Sequence, residues 1–435
     1  MDHSLESPRQ RVLAMSALVF AGEMVFGLPF HVPRYFRPSV LDTFGLTNAD
    51  LGDAFAVYGV TAMLAYYPGG ALADRFGARE LICASLLATA LGGFYLATLP
   101  GPSGLGVLYG YWGLTTIFLF WAAVIRATRE WGGDLRQGRA FGFLDGGRGL
   151  AAAASASVAV VLFARTRPIN AVALDAVARD QAMREVILFY TAVTFAAAGV
   201  VWAWLPGRNH ASARMDAPRP DAVLHRPLVW LQALIVVCAY CGYKGLDNYA
   251  LYVHEVVGMS DAEAAAFAAS CAYLRPVAAI AAGFGADRIG AGRAITALFA
   301  LFAACCVPLA ILDGAPPHMV VIFGNLIVSY AAVFALRGVY FALLEEIRVP
   351  ASMTGTAIGL VSVVGFTPDI FFAPIAGRIL DASPGVAGHQ HYFMLLAAIA
   401  VAGVVIAAVL ATLVAGMTGG GNFSTVCQEK PRLGE

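Results

Sequence analysis

Apolar residues fill this chain in long unbroken blocks, each about as long as a membrane is thick, with short polar joints between them. A spanning helix needs roughly 20 mainly apolar residues. Twelve blocks reach that length. The first six cover 12–34, 49–72, 80–99, 105–128, 139–164 and 184–206; the second six cover 227–253, 263–284, 294–313, 319–342, 354–377 and 392–416. The blocks lack the alternation of a membrane β-barrel, and helices satisfy every backbone group inside lipid. Several joints carry turn residues: Pro100-Gly101-Pro102, Gly132-Gly133-Asp134, Pro316-Pro317 and Ser383-Pro384-Gly385. The pattern predicts an all-α membrane protein. Its longest mid-chain polar stretch has Pro, Arg and Asp and no hydrophobic period. The expected organisation is therefore an N-terminal six-helix bundle over 1–206, a cytoplasmic linker over 207–226, a C-terminal six-helix bundle over 227–417 and a disordered cytoplasmic tail over 418–435.

Composition agrees. Hydrophobic residues make up 59% and charged residues 13%, where a soluble domain carries roughly a quarter charged. Basic and acidic residues balance at 28 each, so no positive excess exists to neutralise phosphates and no nucleic-acid partner is expected. Asp2, His3 and Glu6 precede the first apolar block and no small-residue cleavage site ends it, which predicts a retained helix rather than a signal peptide. Cys238 and Cys241 form a C-x-x-C with no second pair or histidine to complete a site, so they are read as packing residues, and no metal or cofactor is expected. With the first helix running outward, sixteen basic residues fall in cytoplasmic segments. Seven fall outside: Arg34, Arg37, Arg165, Arg167, Arg179, Arg184 and Arg378. That bias favours both termini in the cytoplasm, and the chain is expected in the cell's inner (plasma) membrane.

The two halves repeat. Gly70-Ala-Leu-Ala-Asp74-Arg75-Phe-Gly77-Ala78 returns 213 residues later as Gly283-Phe-Gly-Ala-Asp287-Arg288-Ile-Gly290-Ala291, with six of nine positions identical. At the same offset, Thr47 with Asp50 matches Ser260 with Glu263. Each pair reads as a capping box at the start of a helix. The second and eighth spans thus begin with the same cap and end in the same turn, as in a transporter built from parallel repeats.

Gly70-x-x-x-Asp74-Arg75-x-Gly77-x-Arg79 between the second and third spans, with its copy at Gly283–Gly290, resembles the loop 2–3 and loop 8–9 motif of the major facilitator superfamily. The resemblance implies twelve transmembrane helices in two pseudo-symmetric bundles. It also implies a gate at Asp74, made in one access state and broken in the other. Ala78 departs from the basic residue usual there. In physical terms Gly70 is expected to admit a neighbouring helix closely, Gly77 to permit a tight turn, and Asp74 to face the start of the eleventh span or pair with Arg126 or Arg129. The alternative for the motif is a plain anchoring turn.

A charge at membrane depth costs at least about 2.5–3.5 kcal/mol and calls for a reason. Eight lie deep within the blocks, away from their ends: Glu23, Asp145, Arg148, Lys244, Asp247, Arg275, Arg337 and Asp369. In the family's architecture all eight fall on helices lining or flanking the central cavity. Arg148, Lys244, Arg275 and Arg337 suit an anionic small molecule, with Tyr243 and Trp121 among the aromatic residues able to enclose it. Arg275 and Arg337 have no acidic neighbour in sequence and rank first. Glu23, with Asp145 and Asp247, is the expected proton-coupling group. The alternative is that these charges pair with one another, as the i, i+3 spacings Asp145–Arg148 and Lys244–Asp247 allow. The sequence reading is a monomeric secondary transporter, not an enzyme, moving an organic anion with protons or a counter-transported anion. An exporter of neutral or cationic compounds and a non-transporting receptor on the same fold stay open.

Overall fold

A computed structural model describes residues 7–133, 137–165, 175–207, 225–347, 349 and 354–419. Most of the expected 207–226 linker and nearly all of the 418–435 tail lie outside the described residues. The described chain is almost entirely helical. Twelve spans follow in order: α1 (Pro8–Met24, continued by Gly27–Tyr35), α2 (Asn48–Arg75), α3 (Ala78–Leu96), α4 (Pro102–Gly132), α5 (Gln137–Arg165), α6 (Ala176–Trp204), α7 (Pro227–Glu255), α8 (Asp261–Ile289), α9 (Ala291–Leu309), α10 (Pro316–Val339), α11 (Thr354–Gly365 with Pro368–Ala382) and α12 (Val386–Gly419). Ten of these helices are long and apolar enough to cross a membrane, and the bent α1 makes an eleventh. The twelfth, α2, is 28 residues long; Tyr66, Tyr67, Pro68, Gly69 and Gly70 dilute its apolar character. Exposed Leu64, Val107, Val277, Ile311 and Val320 cover the outer faces, as lipid-facing helices require.

Both capping boxes form. The Thr47 and Ser260 hydroxyls accept from the backbone N–H of Asp50 and Glu263, whose carboxylates accept from the Thr47 and Ser260 N–H in return. Equivalent starts give α2 and α8 equivalent placement in the two bundles.

Two breaks matter for function. The two parts of α1 meet at 43°. Pro29 lacks a backbone donor, so the chain takes a wider π-type turn over Gly27–His31 before helix resumes at Val32. At Gly27 a Cβ would stand 2.8 Å from the Tyr190 ring, so only glycine fits the bend there. In α7 a 3₁₀ turn at Leu246–Asn248 interrupts the helix.

The bundles meet tightly at the end holding the α1–α2 and α7–α8 joints. A Cβ on Gly52 would lie 2.5 Å from the Ala373 carbonyl oxygen, and one on Gly59 would lie 2.6 Å from the Asp369 backbone. Gly377 likewise abuts the Asn48 backbone. Small residues let α2 and α11 touch main chain to main chain. Asp381 of α11 caps the start of α2, accepting from the Asn48 and Ala49 N–H at 3.1 and 2.7 Å. Arg378 pairs with Asp53 at 2.8 Å, and the Ser39 hydroxyl donates to Asp261 at 2.7 Å.

The opposite end, which carries the repeated motif, is built differently from expectation. Gly70 has nothing within 4 Å of a would-be Cβ; the close approach falls one residue earlier, where Gly69 meets the Phe118 backbone. Gly77 has φ −67°, open to any residue, whereas Gly290 has φ 90° and needs glycine. Gly283 also meets nothing within 4 Å. Asp74, Arg75, Asp287 and Arg288 are exposed. Among the described residues Asp74 has no ion-pair partner. Arg126 pairs with Glu130 and donates to the Ala73 and Phe76 carbonyls that end α2.

Candidate functional site

The intramembrane charges gather where the two bundles face each other. Glu23, 3% exposed, is a hub. One carboxylate oxygen accepts from Arg148 Nε of α5 at 2.9 Å, and the other lies 3.5 Å from Arg275 Nη1 of α8 and 3.1 Å from His31 Nε2. Arg275 also donates to Asp145 at 2.7 Å. Arg275, expected to lack an acidic partner, therefore has two; both lie in the other half, which local spacing cannot reveal. Arg148 likewise reaches Glu23 rather than its i−3 neighbour Asp145.

A second group lies toward the closed end. Arg34 donates Nε to Asp247 at 2.5 Å and Nη1 to the Tyr243 hydroxyl at 2.8 Å. Lys244 lies 3.4 Å from Asp247 and 3.4 Å from Asp369, so the expected i, i+3 pair forms but is shared. Its ammonium sits over the Phe30 and Phe55 rings at 4.3 and 4.9 Å from their centres. The Tyr240 hydroxyl donates to both Asp369 oxygens at 3.0 and 3.1 Å.

Arg337 of α10 stands apart. Its guanidinium carbon lies 3.8 Å from the Tyr243 ring centre and 5.9 Å from that of Tyr240. Tyr243 carries Arg34 as well, at 4.4 Å. Cation–π contact of this kind stabilises a desolvated guanidinium by about 2 kcal/mol. Among the described residues no carboxylate lies within ion-pair distance of Arg337, and its Nε is buried without a hydrogen-bond partner. The structure thus brings together Glu23, Asp145, Arg148, Tyr243, Lys244, Asp247, Arg275 and Arg337. Trp121, half-buried against apolar neighbours, makes no ring or ionic contact with them.

Three buried residues here were not expected from the sequence. Arg34 and Arg37 were expected in an outer loop. Both are buried, at 8% and 3% exposure, because the bend at Pro29 and a second proline, Pro33, redirect the chain inward. Arg37 donates to Asn48 at 3.0 and 3.2 Å. His31 was not singled out at all. The repeat offset was the usable signal: applied to Lys244 and Asp247, it gives His31 and Arg34.

Two bundles of six helices with paired charges at their interface define a solute transporter. Residues 13–373 match the Major Facilitator Superfamily, and the chain belongs to that family. Among curated proteins it is 25% identical over 402 residues to the inner membrane protein YqcE of Escherichia coli K12, covering 89% of this chain and 91% of that one. It is 25% identical over 407 residues to the inner membrane protein YihN of the same organism, covering 91% and 94%. Among solved structures it is similar to the nucleoside transporter NupG, with TM-score 0.69, 12% identity and coverage of 93% of this chain and 98% of that one. A bacterial homologue of the human lysosomal transporter Spinster, in an inward-facing and occupied conformation, gives TM-score 0.70, 15% identity and coverage of 94% and 98%. This is an integral inner-membrane transporter, not an enzyme.

Proposed function

We propose that this protein is a secondary transporter that moves a small organic anion by alternating access around the Glu23–Arg275–Arg337 site. The observation that supports the anion is Arg337, a guanidinium held at membrane depth against tyrosine faces with no carboxylate partner among the described residues. An anion is the missing counter-charge. With both termini in the cytoplasm, the end sealed by α2 and α11 faces outward and the site opens to the cytoplasm, with the Asp74 contact released in that state. Glu23, Asp145 and Asp247 each already hold a cation. A proton on any of them has to displace that cation. Exchange against a second anion needs no such step, so we favour counter-transport as the coupling mode, in a monomer.

Uptake of a labelled organic anion into proteoliposomes, with and without a pH gradient, tests this. Accumulation abolished in Arg337→Ala supports the reading. Flux indifferent to Arg337 but dependent on an acidic residue points to neutral or cationic cargo. Binding without flux points to a receptor.

A further inference from the structure

The buried network does not balance, and the imbalance is small. Among the described residues its cations are Arg34, Arg148, Lys244, Arg275 and Arg337. Its carboxylates are Glu23, Asp145, Asp247 and Asp369. Every carboxylate touches at least one of the cations at 3.4 Å or less, so each is counted as ionised. His31 is counted as neutral: its Nε2 faces Glu23 and its Nδ1 is buried without a partner, a costly place for the second N–H of an imidazolium. Arg37 is compensated separately, through Asn48 to Asp381. Five cations against four carboxylates leave one positive charge, and the geometry identifies its bearer as Arg337.

We infer that the site is built to take one net negative charge per substrate, held against Arg337 and the Tyr243 ring, so that its substrates are monoanions. The inference rests on the anion reading above and narrows it. Four of the five cations are committed to carboxylates, and several of those ion pairs join opposite halves. Among the described residues a dianion has a single uncommitted guanidinium to meet. Its second charge then either stays uncompensated in a poorly solvated site or pulls a cation away from a pair that links the bundles. At the short separations here, one unmatched charge is worth well over a factor of ten in affinity.

Charge-fixed probes separate the possibilities. Benzenesulfonate carries one negative charge and 1,3-benzenedisulfonate two, with the same ring and no titration near neutrality. Their binding to the purified full-length protein in nanodiscs at pH 8 is read by calorimetry. The expected result is a monosulfonate affinity at least about tenfold above that of the disulfonate. Arg337→Gln, which balances the network, loses the monosulfonate. Asp369→Asn keeps the Tyr240 contact and raises the surplus to two; it shifts the affinity ratio at least about tenfold toward the disulfonate. Glu23→Gln, with the same charge change at the other group, shifts it in the same direction. Arg337→Gln also melts higher than the wild type in the absence of ligand, because an unmatched buried charge has been removed. Equal affinity for the two sulfonates, or a ratio unmoved in both Asp369→Asn and Glu23→Gln, overturns the single-charge inference and leaves anion transport standing. Failure of both sulfonates to bind the wild type overturns the anion reading itself.

Discussion

Arg34 and Asp247 are bonded at 2.5 Å and lie 213 residues apart, the same interval that separates the two copies of the sequence repeat. Each occupies in its own half the position the other occupies in its partner half. Three residues earlier on each helix, His31 and Lys244 share that relationship. Duplication supplied equivalent positions, and divergence gave them opposite charge, so the halves grip each other across their pseudo-twofold axis.

That pair is buried on both sides, so its loss is costly. Removing one member of a buried ion pair strands the other and costs about 3–5 kcal/mol. Asp247→Asn is expected to lower the melting temperature of the purified protein by several degrees. The exchanged protein, Arg34→Asp with Asp247→Arg, is expected to recover at least half of that loss, although Tyr243 then lacks its guanidinium donor. A double-mutant cycle on melting temperature checks this, and strict additivity of the two single changes counts against the pairing.

The α2–α11 contact depends on having no side chain. Gly52→Val or Gly59→Val drives methyl groups into the Ala373 and Asp369 backbone. Either change should hold the bundles apart at this end and favour the state open there. Hydrogen exchange over Asn48–Gly59 should rise by an order of magnitude or more. Unchanged protection would show that the helices part no further when forced.

Asp381 completes the start of α2 from the other half, accepting from two backbone N–H groups. A carboxylate cap at a helix N-terminus is worth about 0.5–2 kcal/mol. Asp381→Ala is expected to lose roughly that much stability and to speed exchange at Asn48 and Ala49 while leaving the motif end untouched. Protection lost evenly along α2 would contradict a local role.

Asp74 is exposed, and among the described residues it has no ion-pair partner. Asp74→Asn should therefore leave melting temperature within about 1 °C of wild type, as for an uninvolved surface site. Flux in proteoliposomes should still fall severalfold if Asp74 serves the alternate state. Full flux would reduce the motif to a plain turn.

Helix number, the bundle repeat and both capping boxes were readable because each is written in local chemistry. Apolar run length gives a span, and Thr47 with Asp50 gives a cap within four residues. The site was only half readable. The charges were conspicuous in apolar sequence, but their partners were not, because Arg275 finds Glu23 across 252 residues. Arg34 was misplaced for a different reason. Run length assumes a straight helix, and the bend at Pro29 returns the chain to the interior just where the apolar count suggests it has left the membrane. Gly70 and Gly77 show the limit of motif reasoning: a glycine can sit in a familiar pattern while its neighbour Gly69 makes the close contact.

The seal between α2 and α11 joins backbone to backbone through Gly52, Gly59 and Gly377. At these three points there are no rotamers to freeze as the surface shuts and none to release as it parts; among the described residues, Arg378 with Asp53 and Asp381 with Asn48 add polar side chains to it. In lipid, apolar contact between helices brings little solvent-driven gain, so close backbone packing and these two polar contacts carry the joint. Opening this end therefore means parting main chain from main chain over most of the contact, with one ion pair and one helix cap to break.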